Sequence, residues 1–147
     1  MEARHIQQYG SQIPCFLGVF QLSDLAVLNV VKNNVSFIVI HDNHAIAVNI
    51  TSTTIDVMDP LGPSNFNTIR PICEFLAIHL PCKLLQMNSK LQSDTSEKCA
   101  VFCLLFLFMR CNNYSFQEAV NVFTCDYIDN DRISQEMFNL FFIPVSE

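Results

Sequence analysis

Cys99 stands where a polar run, Leu91 to Lys98, meets the most apolar stretch of the chain, Ala100 to Met109. Ser96 is a good N-cap, with Asp94 and Thr95 as rivals, so the apolar stretch reads as a helix opening there. With Ser96 as cap, Cys99 is the third helical residue. Free backbone N–H groups and the helix dipole favour an anion at that place. A free thiol, with pKa about 8.5, is only a few per cent ionised at pH 7. A helix N-terminus and an imidazolium together lower that by several units. The plain alternative is a small buried hydrophobe, which is how Cys103 reads.

Three other residues supply what a thiol nucleophile needs. His44 is a candidate base, Asp59 a candidate orienter of the imidazole, and Gln92, seven positions before Cys99, a candidate oxyanion donor beside the Cys99 N–H. Each has an ordinary use when taken alone: a surface histidine at a strand end, an aspartate before a proline turn, a solvated loop amide. Their weight lies in order and spacing.

The elements that must position them can be read from pattern. Ser36 to His41 is β-branched and aromatic and reads as a strand, and Asp42-Asn43 is a turn signal. His44 to Ile50 and Thr54 to Asp59 read as two further strands joined near Thr51-Ser52. A two-residue turn at Thr51-Ser52 sets His44 opposite Asp59, Ile46 opposite Val57 and Val48 opposite Ile55, all on one face. Opposed Cβ atoms lie about 4.5–5.5 Å apart, within reach of an imidazole–carboxylate hydrogen bond. A shift of the turn makes that pairing diagonal or sends one partner to the other face.

Around this hairpin, Leu22-Ser23-Asp24 leads into a short helix through Lys32, ended by Asn33-Asn34. Pro60 and Pro63 force the chain out of the sheet after Asp59. A helix then runs to Leu80, with Pro71 in its first turn or at a kink. Lys83 to Met87 is a fourth strand. The Cys99 helix ends near Cys111 to Asn113, Ser115 and Glu118 form a capping box, and Asp131 to Phe141 is the last helix. The order is that of an α+β chain, and 147 residues make one domain, 1–147.

Half the residues are apolar, which excludes a disordered chain, and the net charge of −6 comes with no basic run. That argues against nucleic acid as a tight partner. The longest apolar run is ten residues, whereas a membrane span needs roughly 20, so no transmembrane segment is expected. The first residues lack the apolar region of a signal peptide, so the chain is not expected to be secreted. Seven cysteines without a CxxC pair point to reduced thiols rather than a disulfide framework. No metal is expected: His41 and His44 lie across a strand end and no second ligand pair follows.

The chain resembles the adenovirus-type cysteine protease, adenain, and more distantly the ubiquitin-like-protein proteases of the same clan. The matching stretches are Pro14 to Phe20, Asn43 to Asn49, Met58 to Gly62, and Gln92 to Cys103 with its Q-x6-C-A-V-F-C pattern. The order His, Asp, Gln, Cys and the Gln–Cys interval are those of the family. The resemblance implies a papain-like or adenain-like core, with a mostly antiparallel central sheet flanked by helices and the nucleophile at the start of a buried helix. It implies Cys99, His44, Asp59 and Gln92 as site residues and polypeptide substrates, namely viral precursor proteins cleaved during virion maturation, often after glycine. The corresponding location is the host nucleus or cytoplasm and the virion.

No cofactor is required for this chemistry. The family is stimulated by a peptide that disulfide-bonds to a cysteine upstream of the glutamine, and Cys82 is the candidate for that position. An unpaired structural thiol is the alternative there. The chain departs from the family at Ala45, where tryptophan is usual, and at Ala100, where glycine is usual. Two other readings stay open: a deconjugating protease for ubiquitin-like modifiers, and a catalytically silent protease-like binding module.

Overall fold

Apolar runs rich in Val and Ile build the middle of a five-stranded sheet in a computed structural model that describes residues 1–27, 33–62 and 66–146. Strands β2 (Val35–His41), β3 (His44–Ile50) and β4 (Thr54–Met58) pair antiparallel. Strand β1 (Phe16–Gln21) lies parallel to β2, and β5 (Leu84–Met87) lies parallel to β4, giving the order β1-β2-β3-β4-β5. The centre is antiparallel, as expected, but the two outer pairings make the sheet mixed. Connection length explains the difference. Two-residue turns join the central strands, whereas β1 reaches β2 and β4 reaches β5 through helical segments, as parallel pairing requires. Asp42 and Asn43, both with positive φ (49° and 61°), form the turn that right-twisted hairpin strands favour.

The hairpin register differs from the sequence expectation. Val48 faces Val57 and Ile50 faces Ile55, so the turn residues are Ser52 and Thr53, one position later than Thr51-Ser52. The Thr51 side chain accounts for the shift. Its Oγ1 accepts the N–H groups of Thr53 (3.3 Å) and Thr54 (2.9 Å), while the Thr51 N–H donates to the Thr54 carbonyl (2.9 Å). Thr51 therefore closes the turn instead of lying within it, and Asp59 lies diagonal to His44 rather than directly across.

Both faces of the central strands are covered, which is why their sequences run apolar without clean alternation. Ile38, Ala45, Ala47 and Met58 pack toward helix α3 (Cys99–Cys111). Phe37, Val39, Ile46, Val48, Ile55 and Val57 pack toward helix α2 (Phe66–His79). Pro71 lies inside α2, in neither its first turn nor its last. Helix α3 is the core of its layer, with Val101 to Leu107 and Met109 all buried.

Helix α1 (Ala3–Gly10) and strand β1 were not expected from the sequence. The segment after Leu22 is a 3-10 helix, Leu22–Val27, and the rest of the expected helix, 28–32, lies outside the described residues. Helix α4 (Phe116–Val120) opens with the expected Ser115–Glu118 capping box. Helix α5 (Tyr127–Phe141) begins four residues before Asp131, because Asp126 caps it by accepting from Ile128 and Asp129.

Candidate active site

His44 opens β3 immediately after the Asp42–Asn43 turn, and Asp59 follows the last residue of β4. His44 Nε2 and Asp59 Oδ1 are 2.6 Å apart, with the two side chains 15% and 1% exposed. Asp59 Oδ1 also accepts the Leu61 N–H at 2.9 Å, which holds the carboxylate in a turn of its own making. Cys99 stands beside this ring, so that the imidazole and the thiol shift each other's protonation. Helix α3 runs beneath β3 and brings Cys99 to this place. The Cys103 Sγ donates to the Ala45 carbonyl at 3.3 Å, and the Cys99 Sγ lies 3.8 Å from the Asn43 carbonyl.

The electrostatics of this pair favour charge separation. Burial by itself would lower the His44 pKa, but the hydrogen bonds to Asp59 and Cys99, and the negative charge of both, lift it to about 9. Burial pushes the Cys99 thiol up, yet the His44 hydrogen bond, the N–H groups of Ala45 and Ala100 and the imidazolium charge bring it below its ordinary value. The pair is therefore disposed to exist as thiolate and imidazolium. One turn further along α3, burial drives Cys103 well above the ordinary range, and this thiol is inert.

Cys99 is the first residue of α3 rather than the third. Lys98 stands at the cap position without a side-chain cap bond, so Ser96 is not the N-cap. The Ser96 hydroxyl is committed elsewhere: it donates to Asp131 Oδ1 (2.9 Å) and accepts from the Lys98 N–H (3.2 Å). With the Lys98 ammonium on Gln135 Oε1 (2.8 Å), these bonds hang the 92–98 loop on α5. Cys99 stays in the first turn, where the dipole argument holds.

Gln92 is buried, at 1% exposure, and its Nε2 donates to the Ser96 carbonyl at 3.0 Å. One N–H of the amide is thereby anchored and the second remains for another acceptor. Its backbone is equally fixed. The Pro60 carbonyl accepts the N–H groups of Leu91 and Gln92, both at 2.9 Å, and Asn130 Nδ2 donates to the Leu91 carbonyl at 2.9 Å. Gly62 makes this approach possible. A Cβ there would lie 2.5 Å from the Lys90 nitrogen, and its φ of +66° suits glycine.

His44, Gln92 and Cys99 line one cleft of about 900 Å³, floored by Ala45 and Ala100, with Asp59 behind His44. Residues of α1, including His5 and Ile6, form one wall. Cys82 is exposed just before β5 and does not line the cleft. Among the described residues, no group of three or more His, Cys, Asp or Glu could hold a metal ion. None of their helices is long and apolar enough to cross a membrane. Sequence reasoning missed Asn88 and Asn130, whose hydrogen bonds reach across 29 and 39 positions and leave no local signal.

No protein-family model and no curated protein sequence matches this chain. Solved structures do. The ASFV pS273R protease superimposes with a TM-score of 0.62 at 13% identity, over 97% of this chain and 66% of that one. The central domain of the Lpg1148 protein from Legionella pneumophila gives a TM-score of 0.53 at 10% identity, over 95% of this chain and 96% of that one. The SUMO protease Ulp1 gives 0.52 at 10% identity, over 95% of this chain and 77% of that one. This chain thus spans just under two thirds of the pS273R protease chain. At these identities the likeness establishes the fold: an α+β architecture shared with cysteine proteases of the Ulp1 and adenain type.

Proposed function

We propose that this chain is a cysteine endopeptidase that cleaves viral precursor proteins during virion maturation. One observation carries the reading: a thiol at a helix N-terminus shares a cleft with an imidazole whose Nε2 lies 2.6 Å from a buried carboxylate. In this mechanism the Cys99 thiolate attacks the scissile carbonyl carbon, and the oxyanion is held by the Cys99 N–H and the free Gln92 N–H. The His44 imidazolium then gives its proton to the departing amine. Water, deprotonated by His44, attacks the thioester and releases the second product and Cys99. Asp59 keeps the ring oriented throughout.

Two outcomes follow from the site's chemistry. Gln92→Ala removes one oxyanion donor and is expected to lower kcat by about 10²–10³, and an unchanged kcat would take Gln92 out of the hole. The pH profile of kcat/KM should be bell-shaped. On the acid side activity falls as the thiolate is protonated, at a pH below that of an ordinary thiol. On the alkaline side it falls near pH 9, where His44 loses the proton that the leaving amine needs.

The viral substrate class is supported by the sequence resemblance to adenain and by the fold shared with a viral protease. An activating peptide remains part of this reading. In this reading Cys82, exposed next to edge strand β5 where Leu84 and Leu85 are also exposed, is the residue that would pair with such a peptide. The likeness to Ulp1 supports a second reading, a deconjugating protease for ubiquitin-like modifiers. A panel of glycine-containing precursor peptides and ubiquitin-like C-terminal fusions separates the two. Cleavage of the peptides is the expected result. Cleavage of the fusions alone would replace the first reading with the second, and cleavage of neither, with Cys99 no more reactive than other thiols, would favour a silent binding module.

A further inference from the structure

Asn88 is buried and follows the last residue of β5, as Asp59 follows the last residue of the neighbouring β4. Its side chain takes over where the β4–β5 pairing stops. Oδ1 accepts the Asp59 N–H at 3.0 Å, and Nδ2 donates to the Asp59 carbonyl at 2.7 Å. The second Nδ2 hydrogen goes to the Ser89 carbonyl at 2.7 Å. One planar amide thus satisfies both backbone polar groups of Asp59, as a paired strand would, and uses both of its own hydrogens in doing so. Only one amide orientation permits this, since the flipped one would set N–H against N–H and carbonyl against oxygen.

An Asp59 backbone gripped at both its N–H and its C=O has little freedom in φ and ψ. Its carboxylate then leaves the chain in a fixed direction, toward His44 Nε2. Two positions beyond Asn88 the same segment turns against Gly62, and the next two residues bond the Pro60 carbonyl. The orienter and the segment carrying Gln92 are therefore fastened together, with Asn88 at one end of the seam.

We propose that Asn88 is a positioning residue of this site, which clamps the Asp59 backbone and so aims the Asp59 carboxylate at His44. Its catalytic meaning rests on the protease reading, but its effect on His44 does not. The experiment is an NMR titration of the His44 ring in the full chain, comparing wild type with Asn88→Ala, Asp59→Asn and the double variant. Wild type should titrate at about 9. Asp59→Asn should move the midpoint down, because the carboxylate that holds the proton is gone. Asn88→Ala should move it in the same direction by less, and should add nothing in the Asp59→Asn background.

A midpoint in Asn88→Ala equal to wild type, or a further drop in the double variant, would overturn the proposal. A loss of stability alone, with the midpoint unmoved, would do the same. Asn88→Asp serves if the alanine variant does not fold. Its added negative charge by itself would raise the His44 midpoint, so a midpoint lowered below wild type supports the clamp and a midpoint raised above it overturns the proposal, as does an unmoved midpoint in the uncharged, nearly isosteric Asn88→Leu. In activity assays Asn88→Ala should lower kcat about 10–100-fold with KM nearly unchanged, the pattern of a misplaced group rather than lost binding. An inactive wild type whose His44 midpoint still responds to Asn88 would strike the protease reading and support the clamp.

Discussion

Cys99→Ala is expected to reduce peptide hydrolysis to background, a loss of about 10⁴-fold or more, while the chain stays folded. The reasoning begins with the side chain. Cys99 is only partly buried and packs at the edge of the core, so its removal opens no large cavity. A change in stability within about 1 kcal/mol follows, readable by urea denaturation. Activity has no such margin, because no other thiol can substitute. Cys103 is one turn away but lies fully inside the core and is held protonated. Hydrolysis retained in this variant would end the assignment of the nucleophile.

His44→Ala is the second large effect. The variant loses the group that protonates the leaving amine and the cation that holds Cys99 as thiolate. A fall in kcat of about 10³–10⁴ is expected, of the order seen when a member of a hydrolytic triad is removed. The sign on Cys99 can be worked out as well. Burial raises its pKa, and the contributions that bring it down begin with His44. Without the imidazole, burial dominates, the thiol pKa rises, and alkylation of Cys99 at pH 7 slows and shifts to higher pH. A double variant, Cys99→Ala with His44→Ala, should be no worse than Cys99→Ala alone, since the two act as one unit. Unchanged alkylation of Cys99 in His44→Ala would separate the two residues.

Much of the site was legible because it rests on local signals. The His44 strand follows a turn that Asp42-Asn43 announces, and Asp59-Pro60 must leave the sheet. The polar-to-apolar step at Cys99 marks a helix start. These signals fix neighbours but not partners. The hairpin turn lies one residue later than expected, which moves each cross-strand partner by two, because the Thr51 side chain closes the turn by accepting the Thr53 and Thr54 N–H groups. Diagonal placement still brings Asp59 to His44, since a long imidazole spans the offset.

Helix α1 and β1 escaped notice for a related reason. Helix α1 is eight residues with two of them buried, and β1 is an edge strand whose register shifts between Phe16 and Val19. Helix α1 is amphipathic but short, and β1 does not alternate cleanly between buried and exposed positions. Ser96 looked like a cap by type and spacing, yet its hydroxyl reaches Asp131, 35 positions away. The bonds that fix Gln92 and Asp59, from Pro60, Asn88 and Asn130, are likewise made between distant parts of the chain. Residue type alone does not announce them.

The central claim is that Cys99 is an activated thiol, and competition among the seven cysteines tests it most directly. A limiting amount of a thiol-directed electrophile at pH 7, followed by peptide mapping, ranks their reactivities. Exposure alone favours Cys15, Cys82, Cys111 and Cys125, all exposed, over half-buried Cys99. The thiolate–imidazolium pair predicts the reverse: Cys99 is modified first, and that preference is lost in His44→Ala. Modification led by the exposed cysteines, with Cys99 trailing in wild type, would contradict the account.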